Sequence, residues 1–269
     1  MDQEAVLALF DRQMRREARP DEPGARVERV DDVVRQVGPG DGWNGVLWSG
    51  FGAAAPDSPE AAASVDAAIA EQARFYAELG VEAEWKAYGH DRPADLGARL
   101  TAAGFVAEET ETLLVAETAG LALDVAAPEG IRLLPVTEEA QVELVERVHD
   151  RAFDGGRSSI GHQVRQQLAA DPATVPAVVA LYGEEPVSAA RLELHEGTDF
   201  ASLWGGGTAP EWRGRGIYRA LVAFRVRIAA ERGFSYLHVD ATSYSRPILE
   251  RLGFVALGTT TPYVLKATG

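Results

Sequence analysis

The sequence has no cysteine, only two lysines and no long apolar run. Without cysteine there is no disulfide framework, no thiolate metal site and no sulfur nucleophile. No segment reaches the roughly 18 uncharged apolar residues of a membrane span. The opening MDQEAVLALFDRQMRREARP lacks the n-region and apolar core of a secretory signal. The expectation is a soluble cytoplasmic protein. Positive charge is scarce as well: 26 Lys plus Arg face 41 Asp plus Glu, a net charge of −15. Such a surface repels nucleic-acid backbones and anionic membranes, so neither is expected as the main partner, although a local basic patch would still suit a small polyanion. His149, His162, His195 and His238 are dispersed, with no HxH or HxxxH pair, and no metal site is expected. The preference for arginine over lysine, alongside abundant alanine, reads as coding bias and carries no functional weight.

The 269 residues suffice for one large domain or two of about 130. A loop-rich passage near 118–130 suggests the second, divided as 1–125 and 126–269. A repeat supports the division. Placing Gly104-Phe105 on Gly253-Phe254, an offset of 149, also superposes Leu100 on Leu249, Val106 on Val255 and Thr110 on Thr259. Each copy reads as a short helix stopped by glycine and followed by two strands.

In the first half, strands are predicted at 27–37, 45–49 and 81–88, with a helix over 59–79. In the second, a strand at 131–134 leads to helices over 137–153 and 161–170, then strands at 175–181, 186–194 and 200–206. Ile217, Leu221, Phe224 and Ile228 share one face of a helix over 214–231, and a strand at 236–240 follows. This order is mixed α/β, a central sheet covered by helices.

The segment richest in chemistry is SLWGGGTAPEWRGRGIYR, Ser202 to Arg219. A strand ends in consecutive glycines, and Arg213-Gly214-Arg215-Gly216 opens an amphipathic helix. Glycines permit close approach of a ligand to the backbone, and the free N–H groups of a helix start suit a phosphate. The pattern is neither a Walker loop nor a dinucleotide fingerprint. The bland alternative is an ordinary strand-to-helix turn with solvated arginines.

With its flanking elements, the RGRGIY turn and a short helix ending in RLGF, the stretch from Ile131 to Leu265 resembles the GCN5-related N-acetyltransferase (GNAT) superfamily. The resemblance implies a GNAT acyltransferase fold in two tandem copies, the first degenerate. It also implies acetyl-CoA as cosubstrate and transfer of its acetyl group to the amine of a small molecule by direct attack. The family's phosphate-cradling motif falls on Arg213, Gly214, Arg215, Gly216, Ile217 and Tyr218, with Tyr218 departing from the small residue usual there. The diphosphate would lie over the amides of Arg215 to Arg219, and the pantetheine arm beside the strand ending near Thr208 and Ala209. The tyrosine that often serves as general acid is replaced by Leu249, leaving Tyr244 as substitute or as a plain surface residue.

For the base, alternation in RLELH puts Arg191, Glu193 and His195 on one strand face; Glu193 is the first candidate and His195 the second. The same face would also suit solvent or pairing within the sheet. Asp154 and Arg157 could touch the acceptor, while Ser158-Ser159 lacks the setting of a nucleophile elbow. In the first half, the glycine-rich SGFGAAAP lacks both arginines, so that half is expected to be structural, with Trp43, Trp48 and Trp85 as packing residues. The competing function is a non-catalytic binding or scaffolding protein that keeps the fold. Homodimerisation stays open.

Overall fold

The computed structural model describes residues 1–40, 42–52, 58–121, 125–153, 160–171 and 174–267. Asp154, Arg157 and Ser158-Ser159, and Ala53 to Pro56 of the first-half glycine-rich segment, lie outside them. Two compact units emerge: a first of residues 2–113, 240–244 and 256–269, and a second of residue 1, 114–239 and 245–255.

The first unit opens with helix α1 (Gln3–Phe10), extended by a π-helical turn over Asp11–Arg16 that the hydropathy pattern does not announce. Strands β1 (Arg26–Val30) and β2 (Val33–Val37) form a hairpin where one strand over 27–37 is expected. The break falls at Asp31, whose positive φ of 49 turns the chain. Strand β3 (Gly45–Ser49) and helix α2 (Pro59–Leu79) have their predicted bounds, and α2 leads to strand β4 (Ala83–Tyr88), parallel to β3. Val65, Ile69 and Tyr76 of α2 pack on Trp85, with Val33, Val46 and Leu100, as the core of this unit. Helix α3 (Leu96–Ala102) and strand β5 (Val106–Ala107) follow, and the chain passes to the second unit within strand β6 (Glu111–Glu117).

The second unit holds strand β7 (Ile131–Val136), helices α4 (Val142–Ala152) and α5 (Ile160–Ala170), and strands β8 (Ala177–Tyr182), β9 (Glu185–Leu194) and β10 (Phe200–Thr208). Helix α6 (Ile217–Glu231), strand β11 (Tyr236–Ala241) and helix α7 (Arg246–Arg251) complete it. Its strand order is β11-β10-β9-β8-β7, antiparallel except for the β10–β11 pair. Val145, Val148 and Val164 of α4 and α5 cover one face of the sheet, and Ile217 and Leu221 of α6 the other. The layering is the expected mixed α/β one.

The repeated helix ends share their geometry. Gly104 and Gly253 both take a left-handed φ, 97 and 104, and the amides of Phe105 and Phe254 each return at 3.1 Å to the carbonyls of Leu100 and Leu249. All four apolar side chains are buried. The strands after them differ. In the first copy the chain breaks between β5 and β6, whereas Val255–Leu265 runs as one strand, β12, with Leu257-Gly258 standing where the first copy has Glu108-Glu109. In the first unit β12 pairs antiparallel with β4, Thr260 opposite Tyr88 and Leu265 opposite Ala83, giving the order β1-β2-β3-β4-β12. The compact units therefore do not follow the 1–125 and 126–269 division: the last strand counts with the first half.

Candidate functional site

The glycines of β10 exist because helices touch its backbone from both faces. A side chain at Gly205 would strike Ile160 of α5, one at Gly207 would strike Ala152 and Phe153 at the end of α4, and one at Gly206 would strike the Tyr218 ring of α6. Between Trp204 and Gly207 the register against β9 slips into a bulge. On its other side β10 pairs with β11 over Phe200, Ala201 and Ser202, after which the parallel register stops while β10 runs on to Thr208. Among the described residues, the β11 side of the strand thus carries no ladder beyond Ser202, while its other side stays paired with β9.

Past Thr208 the chain makes a short helical turn over Pro210–Trp212 and then the RGRG segment. Gly216 is the N-cap of α6 with φ 81, a conformation that costs other residues about 1–2 kcal/mol. It offers no side-chain acceptor, so the first turn of α6, containing Ile217, Tyr218 and Arg219, starts uncapped. Arg213 donates to the carbonyls of Thr208 and Ala152 at 3.1 Å. Arg215 donates to the Glu211 carbonyl at 3.1 Å, with its guanidinium 4.6 Å from the Trp212 ring centroid. Both arginines thereby brace the loop while keeping positive charge at the helix start. Thr208 Oγ1 is 2.7 Å from Ser188 Oγ, which donates to the Gly207 carbonyl, and the buried Ala209 returns its amide to Val187.

Tyr218 fills the space left by Gly206, and its hydroxyl faces Arg225. Burial pushes the Arg225 guanidinium down to about 10 and the Tyr218 hydroxyl up. Arg225 donates to the Arg191 carbonyl at 2.9 Å, beside the bulge. Its place in the sequence was legible, since Arg225 lies four residues after Leu221 within the apolar stripe of α6.

On the sheet face under α4 and α5, Ser202 stands opposite Glu193 and Trp204 opposite Arg191. His195 Nε2 lies 2.7 Å from Ser202 Oγ, and Trp204 Nε1 donates to the same oxygen at 2.6 Å. Indole nitrogen only donates, so the Ser202 proton is available to a neutral imidazole. Burial lowers the His195 pKa and favours that neutral form. The His238 ring stacks on His195 at 5.8 Å. Glu193, with a side chain 13% exposed, has Arg191 Nη1 at 3.7 Å. The predicted alternation of Arg191, Glu193 and His195 therefore corresponds to a real polar face, to which Ser202 and Trp204 add partners that the strand pattern alone does not single out. Tyr244 belongs to the first unit and is 86% exposed. Among the described residues no group of histidines and carboxylates is arranged to hold a metal, and no helix is long and apolar enough to cross a membrane.

Residues 142–254 match the model of the acetyltransferase (GNAT) family. No curated protein matches the chain. Among solved structures, a GCN5-related N-acetyltransferase from Kribbella flavida is similar at a TM-score of 0.65 and 18% identity, over 99% of this chain and 95% of that one. A conserved protein of unknown function from Staphylococcus epidermidis gives 0.65 and 13%, over 95% and 98%. A tandem GNAT protein from the clavulanic acid biosynthesis pathway gives 0.59 and 13%, over 94% and 86%. These likenesses concern architecture, and the chain has the α/β GNAT fold.

Proposed function

We propose, on the premise that residues 142–254 form a GNAT segment, that the protein is an acetyl-CoA-dependent N-acetyltransferase acting on a small-molecule amine. The observation that carries this reading is the uncapped start of α6, built on Gly216 and flanked by Arg213 and Arg215, directly after a strand whose pairing with β11 ends early. Amides of Arg215 to Arg219 and the positive helix end would receive the diphosphate, and nothing lies within 4 Å of where a Gly214 side chain would stand. Thr208 and Ala209 would border the pantetheine arm. Bound acetyl-CoA supplies an activated thioester.

Glu193, in register with Ser202, would accept a proton from the acceptor's ammonium, and backbone N–H groups of the β10 bulge would serve as donors to a developing oxyanion. His195, kept neutral by burial and tied to Ser202, orients this face. We give Tyr244 no acid role: a hydroxyl 86% exposed exchanges with water and gains nothing from the fold.

Calorimetric titration of acetyl-CoA tests the reading. Wild type should bind one equivalent per chain, Gly216→Ala should bind more weakly, and Gly216→Glu, which adds a negative charge at the cradle, should not bind while remaining folded. Absence of wild-type binding would sink the proposal. Binding without transfer to any amine would instead favour a scaffolding protein that retains the groove.

A further inference from the structure

The buried arginines of the second unit are treated differently by the fold. Arg225 spends its Nε and Nη1 on the carbonyls of Leu221 and Arg191. Arg191, only 6% exposed, makes no side-chain hydrogen bond among the described residues. Its guanidinium has Glu193 Oε1 at 3.7 Å and the Trp204 ring centroid at 6.0 Å. Glu193 likewise accepts no hydrogen bond among the described residues. The Arg191 nitrogens keep contact with solvent, so its donors stay open to a ligand, and the 3.7 Å ion pair with Glu193 is beyond hydrogen-bond reach. Both groups stand on the strand face beneath α4 and α5, with Arg191 in register with Trp204 and Glu193 with Ser202.

An ion pair too long for a hydrogen bond, with donors and acceptors still open, fits a ligand carrying the complementary pair. We propose that the acceptor is an amino-carboxylic acid, its carboxylate taken by the fork of Arg191 and its ammonium by Glu193. This rests on the acetyl-transfer reading and deepens it. A guanidinium matches the planar geometry of a carboxylate with two parallel N–H donors, which an amine lacking that group leaves empty. In the reaction the ammonium gives one proton to Glu193, and the nitrogen lone pair attacks the thioester carbonyl. The C–N bond forms, the C–S bond breaks, and the remaining surplus proton on nitrogen leaves with the thiolate as free thiol. Arg191 is a binding and specificity residue in this scheme. Glu193 is the base.

The test is an acetyl-transfer assay, read by release of free thiol, with three matched series: standard amino acids, their carboxamides, and the corresponding decarboxylated amines. Free acids should be acetylated with kcat/KM at least about tenfold above their amides and amines, because a site built for a charged group leaves its own polar atoms unpaired when that group is missing. Arg191→Met should collapse that ratio to near one, mainly through KM, and Arg191→Lys should restore part of it. A thermal melt of each variant separates loss of fold from loss of specificity. Amides or amines that outperform acids, or an Arg191→Met protein that is folded and keeps the wild-type ratio, would overturn the proposal. Wild-type binding of acetyl-CoA without transfer to any amino acid would overturn it and leave the acetyl-CoA site standing, whereas absence of binding removes both.

Discussion

Single residues carry charge into places where the fold must answer for it. In the first unit Lys86 Nζ sits 2.5 Å from Asp240 Oδ2, with Glu111 nearby. Burial alone would lower Lys86, but Asp240 outweighs it and keeps the ammonium charged. Glu111 goes the other way: burial, then the Asp240 charge, push it up to about 7 from 4.5. Between those values the folded chain holds a proton that the unfolded chain has released, so this group's contribution to stability falls as pH rises through that window. Glu111 is only half-buried, and solvent screening reduces the cost to about 1–2 kcal/mol. Glu111→Gln should therefore be more stable than wild type by that amount at pH 8 and nearly equal to it at pH 4. Urea unfolding at both values reads the difference, and an equal gap at both would refute the assignment. The residue types here were plain in the sequence. Their proximity was not, because Lys86, Glu111 and Asp240 are separated by long stretches of chain.

Between elements of the first unit, a buried ion-pair tie runs through Arg15. Its guanidinium bonds both oxygens of Asp91 at 2.8 and 2.7 Å and Asp11 at 2.7 Å, and it lies 4.1 Å from the Tyr88 ring centroid. The π-helical turn after α1 is thereby fixed to the end of β4. Removing one partner of a buried pair strands the other charge, so Arg15→Met should destabilise the unit by about 3 kcal/mol in urea unfolding. Adding Asp91→Asn should recover part of the loss, and a recovery of zero would mean that Arg15 acts through packing alone. Long amphipathic helices and β-branched strands were legible, as α2 and β3 show. The opening helix was missed. Its apolar residues run together from Ala5 to Phe10 with no helical spacing to mark a face, and what holds its end is this ion pair with Asp91, distant in sequence.

At the scale of the molecule, the two compact units are discontinuous in sequence. Tyr263 and Leu265 of β12 pack against the core around Trp85, and Val264 pairs with Glu84 and Val106. A chain ending after Phe254 should therefore lose amide protection in β3 and β4 far more than in β7 to β9. Hydrogen exchange with peptide-level readout measures this. Equal loss in both sets would mean that the units do not unfold separately.

What the sequence determined by itself was local: the periods that make α2 and α6, the glycine stops at Gly104 and Gly253, and the RGRG turn whose Gly216 must take a left-handed φ. Such features depend on neighbours within one or two turns of chain, and local sterics and hydropathy decide them. Tertiary structure alone decided the rest. A strand pattern says that Val255–Leu265 will pair but not with which neighbour, so only packing could give β12 to β4. Alternation put Arg191 and Glu193 on one face, but only the register with Ser202 and Trp204, and the helices above it, left them largely buried as an ion pair too long for a hydrogen bond.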